Sequence, residues 1–183
     1  MDKGAEYYRL FQSGSNEGIE KIILEYRAGL QAFLCSLTGD AALAEELTQE
    51  TFVKIFTTRP KYYAKASFRT WLYTVGRNIT LNELRRRGRT APLPEADDSL
   101  SSAENVEEAF LQTERNKAVR SALRKLPSPY AEVLWLTYFE ELPSREIARI
   151  LKKTPHNVDV LRGRAKNMLR EQLRKDGFTD EIQ

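Results

Sequence analysis

The chain of 183 residues carries a net charge of +3 and 41% apolar residues, which suffices for two modest helical cores or a single larger one. One cysteine and one histidine leave no intrachain disulfide and too few ligands for a zinc site. The acidic start at Met1-Asp2 and the lack of a membrane-length apolar run predict a soluble, cytoplasmic protein without membrane insertion.

Ile19, Ile22, Ile23, Tyr26, Leu30, Phe33, Leu34 and Leu37 recur at spacings of three and four and predict a helix in which Cys35 is a small buried hydrophobe. Thr38-Gly39-Asp40 closes that helix and caps the next. The next helix, Leu43 to Phe56, has two stripes. Leu43, Leu47, Thr51 and Ile55 form its core side. Glu45, Gln49, Phe52, Val53 and Phe56 mix acids with large apolar groups. They fit either a helix held between two neighbours or a partner surface with apolar anchors inside a rim of Glu45, Glu46, Gln49 and Glu50.

From Phe68 to Arg89 an aromatic and amide-bearing helix runs into a basic cluster. At about 100° per residue, Phe68, Leu72, Val75 and Ile79 share a core side. Trp71, Thr74, Asn78, Asn82 and Arg85 share the adjoining one. That second face offers a stacking surface, two amides that can read base edges and a cation for phosphate, which is what unpaired nucleic acid requires. Taken alone, Trp71 reads more readily as core than as a stacking residue. Its conjunction with Asn78, Asn82, Arg85, Arg86, Arg87 and Arg89 favours nucleic acid, because an ordinary solvated face mixes both signs of charge.

Charge is arranged in blocks. Residues 61–90 hold 8 basic and 1 acidic side chains, residues 91–114 hold 0 and 7, and residues 115–175 hold 15 and 6. Two basic footprints separated by an acidic stretch predict two nucleic-acid contact surfaces. Between them Thr90 to Ser102 reads TAPLPEADDSLSS, whose prolines, acids and serines predict a flexible linker, with helix resuming near residues 103–105.

The last part contains a helix-turn-helix pattern. Ser144 to Leu151 places Ile147, Ala148 and Leu151 on a packing face, Lys152 and Lys153 make the turn, and Thr154-Pro155 opens a second helix with an N-cap and a first-turn proline. Val158, Leu161, Ala165 and Leu169 face its core. His156, Asp159, Val160, Gly163 and Asn167 then project outward, flanked by Arg164 and Lys166, as on a helix that enters a major groove.

In that order, AEELTQETFVKIF, SFRTWLYTVGRNITLNELRRR, LRKLPSPYAEVLWLTYFEELPSREIARIL and NVDVLRGRAKNML resemble the extracytoplasmic-function sigma factors of bacterial RNA polymerase, over about Ile19 to Leu173. The resemblance implies an all-α fold of two small helical domains, sigma region 2 in residues 1–90 and sigma region 4 in residues 114–183, joined by a flexible acidic linker at 91–113. It implies core RNA polymerase and promoter DNA as partners, an anti-sigma factor as a further one, and no cofactor. By resemblance, Glu45, Glu46, Gln49, Glu50, Phe52, Val53 and Phe56 bind the clamp helices of the largest polymerase subunit. Phe68, Trp71, Thr74, Asn78, Asn82, Arg85, Arg86 and Arg87 melt and hold the minus-ten element. His156, Asn157, Asp159, Val160, Gly163, Arg164, Lys166 and Asn167 meet the minus-thirty-five element. Glu95, Asp97 and Asp98 of the linker would imitate RNA phosphates. The chain departs from the family pattern at Pro143, Asp159 and Gly163, which bears on its minus-thirty-five preference.

Two other classes fit less of the sequence. A stand-alone helix-turn-helix regulator has no use for the aromatic and amide face. An enzyme acting on nucleic acid needs clustered carboxylates, a histidine acid and base or a phosphate-cradling glycine loop, and the sequence supplies none of these.

Overall fold

The structure, a computed structural model, describes residues 2–88 and 108–178, with side chains from residue 116 onward in the second stretch. The described residues form eight helices: α1 (Lys3–Gln12), α2 (Asn16–Thr38), α3 (Ala41–Thr58), α4 (Phe68–Arg86), α5 (Glu108–Arg124), α6 (Ser128–Tyr138), α7 (Ser144–Leu151) and α8 (Pro155–Lys175). Most of the expected linker, with Glu95, Asp97 and Asp98, lies outside the described residues. Residues 108–113, which were assigned to its end, form the first turns of α5.

Local chemistry sets the helix boundaries. Gly39 ends α2 at φ 65, a left-handed conformation that costs glycine nothing, and its N–H closes onto the Cys35 carbonyl. Asp40 accepts from the Leu43 amide at 3.0 Å to start α3, Ser67 caps α4, and Thr154 caps α8 ahead of Pro155. Lys152 makes the turn between α7 and α8 with a positive φ of 54.

The first domain packs α1–α4 around Leu30, Phe33, Leu34, Leu47, Ile55, Phe68 and Leu72. α1 is absent from the sequence reading. Tyr8 anchors it by donating to the Pro60 carbonyl at 2.6 Å, and Gly18 lets α2 cross it closely. A Cβ at Gly18 would come within 2.5 Å of the α1 backbone. The second domain packs α5–α8, with Ile147, Ala148, Leu151, Val158 and Ala165 buried as the helix-turn-helix pattern predicts.

The two domains also pack on each other. α6 is apolar nearly all round, with Val133, Leu134, Trp135 and Leu136 buried, because α8 covers one side and α2 of the first domain covers another. α7 lies against α4 as well as against α8, which explains why Ile150 is buried although it falls off the packing face shared with α8.

Candidate nucleic-acid and partner interfaces

α4 presents three different faces. Phe68, Leu72 and Ile79 point into the first core, Arg69, Tyr73 and Arg77 point toward the second domain, and Asn82 and Arg85 are exposed, with Asn78 half-buried one turn before Asn82. Phe68, assigned to DNA contact by the family pattern, is fully buried and cannot touch a base. Trp71 is half-buried. Its ring lies 5.3 Å from Tyr8, 5.6 Å from Tyr62 and 5.4 Å from Phe68, so it is the outer member of an aromatic cluster, part core and part surface. Thr74 donates to the Thr70 carbonyl, the usual fate of a mid-helix threonine.

The N-terminus of α4 is held by carboxylates from both sides. Asp2 accepts from the Phe68 amide at 2.6 Å, while Glu146 of α7 accepts from the Ser67 amide and hydroxyl at 3.4 Å. Negative charge there opposes the positive end of the helix dipole and occupies amides that have no partner within the helix. At the other end the basic run is internally engaged. Glu83 binds Arg86 at 2.7 Å and Arg87 at 2.5 Å, which holds its carboxyl down at about 2, and Arg85 donates to Asn82 at 3.1 Å.

On α3, Glu46, Gln49, Glu50 and Val53 are exposed, Val53 at 60%, and Glu45 is half-buried and pairs with Arg27 of α2 at 3.2 Å. Phe52 is only 6% exposed, and Phe56, half-buried, meets Phe11 of α1 at 5.1 Å with Phe52 stacked behind it at 6.0 Å. Of the two readings of this stripe, Phe52, which is buried, and Phe56, which packs against Phe11 of α1, follow the sandwiched helix. Val53 and the acids keep an open surface.

Two side chains outside the sequence reading lie on the same surfaces. Tyr63, 67% exposed, stands between the exposed Lys61 and Lys65 in the loop before α4, and its neighbour Tyr62 packs on Trp71. The alternation of aromatic and basic residues in Lys61-Tyr62-Tyr63-Ala64-Lys65 was the available signal. Leu24, 84% exposed, is an isolated apolar residue off the Ile22, Tyr26 and Leu30 stripe of α2, near the Arg27 and Glu45 pair.

On α8, His156, Asn157, Asp159, Val160, Gly163, Arg164, Lys166 and Asn167 all lie on the exposed side. Asp159 is not idle there. It accepts from the Ser144 hydroxyl at 2.6 Å and from Arg162 at 2.7 Å, while Arg162 also donates to Ser144, a bracket tying the start of α7 to α8. Lys166 lies 5.5 Å from the Tyr138 ring centroid, a cation–π contact with α6. Among the described residues no group of three His, Cys, Asp or Glu side chains is placed to hold a metal ion, and no helix is long and apolar enough to cross a membrane.

Two family models match the chain: Sigma-70 region 2 over residues 22–90 and Sigma-70, region 4 over residues 116–169. The chain is 29% identical over 165 residues to the ECF RNA polymerase sigma factor SigM of Bacillus subtilis, covering 89% of this chain and 99% of that one. It is 27% identical over 151 residues to the RNA polymerase sigma-H factor of Pseudomonas aeruginosa, covering 77% and 78%. Among solved structures, the sigma factor RpoE in complex with the anti-sigma factor NepR from Bartonella quintana has the same fold, with a TM-score of 0.70 at 21% identity over 85% of this chain and 96% of that one. CnrH in complex with the cytosolic domain of CnrY does too, with a TM-score of 0.67 at 22% identity over 93% and 96%. The chain belongs to the sigma-70 family, as an extracytoplasmic-function sigma factor.

Proposed function

We propose that this chain binds core RNA polymerase in the cytoplasm as an alternative sigma factor and directs it to promoters, melting the minus-ten element with its first domain and docking its second on the minus-thirty-five element. The observation that carries this reading is α4. It combines a half-exposed Trp71, a half-buried Asn78, an exposed Asn82 and a terminal arginine cluster on one rigid helix, in a chain whose other domain exposes a capped, basic helix. Selective binding of an unpaired strand lowers the free energy of the melted promoter, so a base-flipping cost of a few kcal/mol is offset without ATP.

Within that reading, the domain of α1–α4 forms the polymerase and minus-ten unit, the domain of α5–α8 forms the minus-thirty-five unit, and the stretch between α4 and α5 connects them. Glu46, Gln49, Glu50 and Val53 make the polymerase contact, with Leu24 extending the patch. Trp71, Asn78, Asn82 and Arg85 address the unpaired strand, with Tyr63 beside them. The relatives solved in complex with an anti-sigma factor or a cytosolic partner domain support the expectation of such an inhibitor here. The test is assembly: the full chain should co-elute with purified core polymerase, and Val53→Glu should weaken that association while leaving thermal stability unchanged. Failure of the wild-type chain to bind core polymerase would overturn the proposal.

A further inference from the structure

A recess of about 370 Å³ opens between α5, α6 and α8 of the second domain. Buried Leu123, Leu134 and Leu173 and half-buried Val119, Phe139 and Leu169 give it an apolar lining. Its exposed members are Tyr138, Lys166 and Arg170, with the Lys166 ammonium 5.5 Å from the Tyr138 ring centroid. Lys166 and Arg170 stand four residues apart on α8 and so share one face of it. Protein interiors pack without voids of this size, and an apolar lining offers water few hydrogen-bond partners. The volume lies near the lower end of the range for small-molecule sites, which combine an apolar lining with a few convergent polar groups.

Charge says what would fill it. Among the described residues, no carboxylate lines the recess, and neither Lys166 nor Arg170 has an ion-pair partner. Other cations of the same helices are paired, Arg162 with Asp159 and Lys125 with Asp176. Two unpaired cations beside an apolar recess complement a ligand with an anionic head and an apolar tail. The planar fork of Arg170 suits a carboxylate in particular. Because both cations are exposed, the head keeps its contact with water, and binding avoids the cost of burying a charge.

We propose that this recess binds a soluble medium-chain acyl carboxylate, with the chain between α5, α6 and α8 and the head on Lys166 and Arg170. The site shares Lys166 with the outward surface of α8, where Gly163, Arg164 and Asn167 are also exposed. A carboxylate on Lys166 neutralises one cation of that surface. Ligand and DNA phosphate then compete for it, and each weakens binding of the other by the same factor. This consequence rests on the proposed contact of α8 with the minus-thirty-five element; the site itself does not.

The experiment is calorimetric titration of the full chain with decanoate below its micelle concentration. Octanoate and decyltrimethylammonium serve as comparisons, and amide NMR places the contact. Decanoate should bind saturably and shift Val119, Leu134 and Leu169. Each buried methylene is worth about fourfold in affinity, so octanoate should bind roughly tenfold more weakly. Arg170→Glu should weaken decanoate about tenfold and admit decyltrimethylammonium. Val119→Phe should abolish decanoate binding while the thermal midpoint holds, since the added ring enters the recess rather than a packed core. Circular dichroism reports whether each variant stays helical. No saturable decanoate binding by the wild type, equal binding of the cationic amphiphile, NMR shifts confined to other residues, or full decanoate affinity in both folded variants overturns the site. Saturating decanoate should also lower the log–log salt slope of duplex binding by about 1, and Lys166→Ala should remove that difference. An unchanged slope in the wild type overturns the coupling. Decanoate binding by a chain that engages neither core polymerase nor promoter DNA removes the proposed function and leaves the site standing.

Discussion

The carboxylate of Asp2 lies 2.6 Å from the amide of Phe68, so a side chain at the start of α1 caps the helix that carries Asn78 and Asn82. Its other oxygen accepts from the Ala5 amide, and one residue therefore serves two helix N-termini. Asp2→Ala should cost about 1 to 2 kcal/mol of stability, the range for a lost N-cap with its dipole interaction, and lower the thermal midpoint by several degrees. Asp2→Asn, which keeps an acceptor, should recover part of the loss. An unchanged denaturation midpoint for Asp2→Ala would contradict the capping role.

Neighbours on α3 should behave oppositely. Glu46→Lys with Gln49→Lys reverses charge on an exposed surface and should weaken polymerase binding while stability holds within about 0.5 kcal/mol. Phe52→Ala empties a core position and should cost about 3 to 5 kcal/mol. Chemical denaturation beside a core-binding titration separates the two; equal core affinity for the folded double variant and wild type would take α3 out of the interface.

Asn78→Ala should slow open-complex formation on duplex promoters. If its role is melting, a template already mismatched across the minus-ten element should rescue most of the loss; if the amide reads a base, the defect should persist there. Normal transcription from both templates would remove Asn78 from the site. Trp71→Ala is a poorer probe because the ring belongs to the cluster of Tyr8, Tyr62 and Phe68, and its loss should also destabilise the domain.

Glu83 restrains Arg86 and Arg87, and its carboxyl titrates at about 2 because both guanidiniums hydrogen-bond its charged form. Its folded pKa is lowered, so the stabilising contribution is present above the unfolded value and fades as pH falls from about 4.5 toward 2. NMR titration of that carboxyl checks the window. Glu83→Gln should free the two arginines for phosphate, tightening non-specific DNA binding at low salt and steepening its log–log salt dependence by about 1 to 2. An identical salt slope would show that the arginines stay off DNA.

On α8, Asp159 combines an exposed position with a structural bracket. Asp159→Lys should break the bonds to Ser144 and Arg162, cost no more than about 1 kcal/mol at this exposed site, and change the preferred minus-thirty-five sequence. A carboxylate there accepts from cytosine and disfavours acceptor-only edges, whereas lysine favours guanine. A promoter-library selection that returned the same preference for both proteins would show that Asp159 only braces the turn.

The helix-turn-helix was legible in the sequence because every signal for it is local: period 3.6 in Ile147, Ala148 and Leu151, then Thr154-Pro155 at a helix start. The core stripe of α4 was legible for the same reason. α1 was not, because a ten-residue helix whose apolar members include two adjacent tyrosines offers a short period, and its docking depends on Pro60 and Phe68 far along the chain. Without α1, the Phe11 ring that meets Phe56 is out of view, so the stripe of Phe52 and Phe56 stayed open between two readings. The contact between the two domains was invisible for a related reason. Glu132, Glu140 and Glu146 sit in sequence like ordinary solvated acids, and their partners on α4 are 55 to 79 residues away.

The central claim is tested most directly by transcription in vitro from a duplex promoter, reconstituted with purified core polymerase and a promoter library. The account predicts transcripts from defined start sites only when this chain is present, with strand opening at the minus-ten element detected by permanganate and reduced in Asn78→Ala. Sequence-specific duplex binding by the chain alone, with no association with core polymerase and no factor-dependent transcript, would contradict it and identify a stand-alone helix-turn-helix regulator.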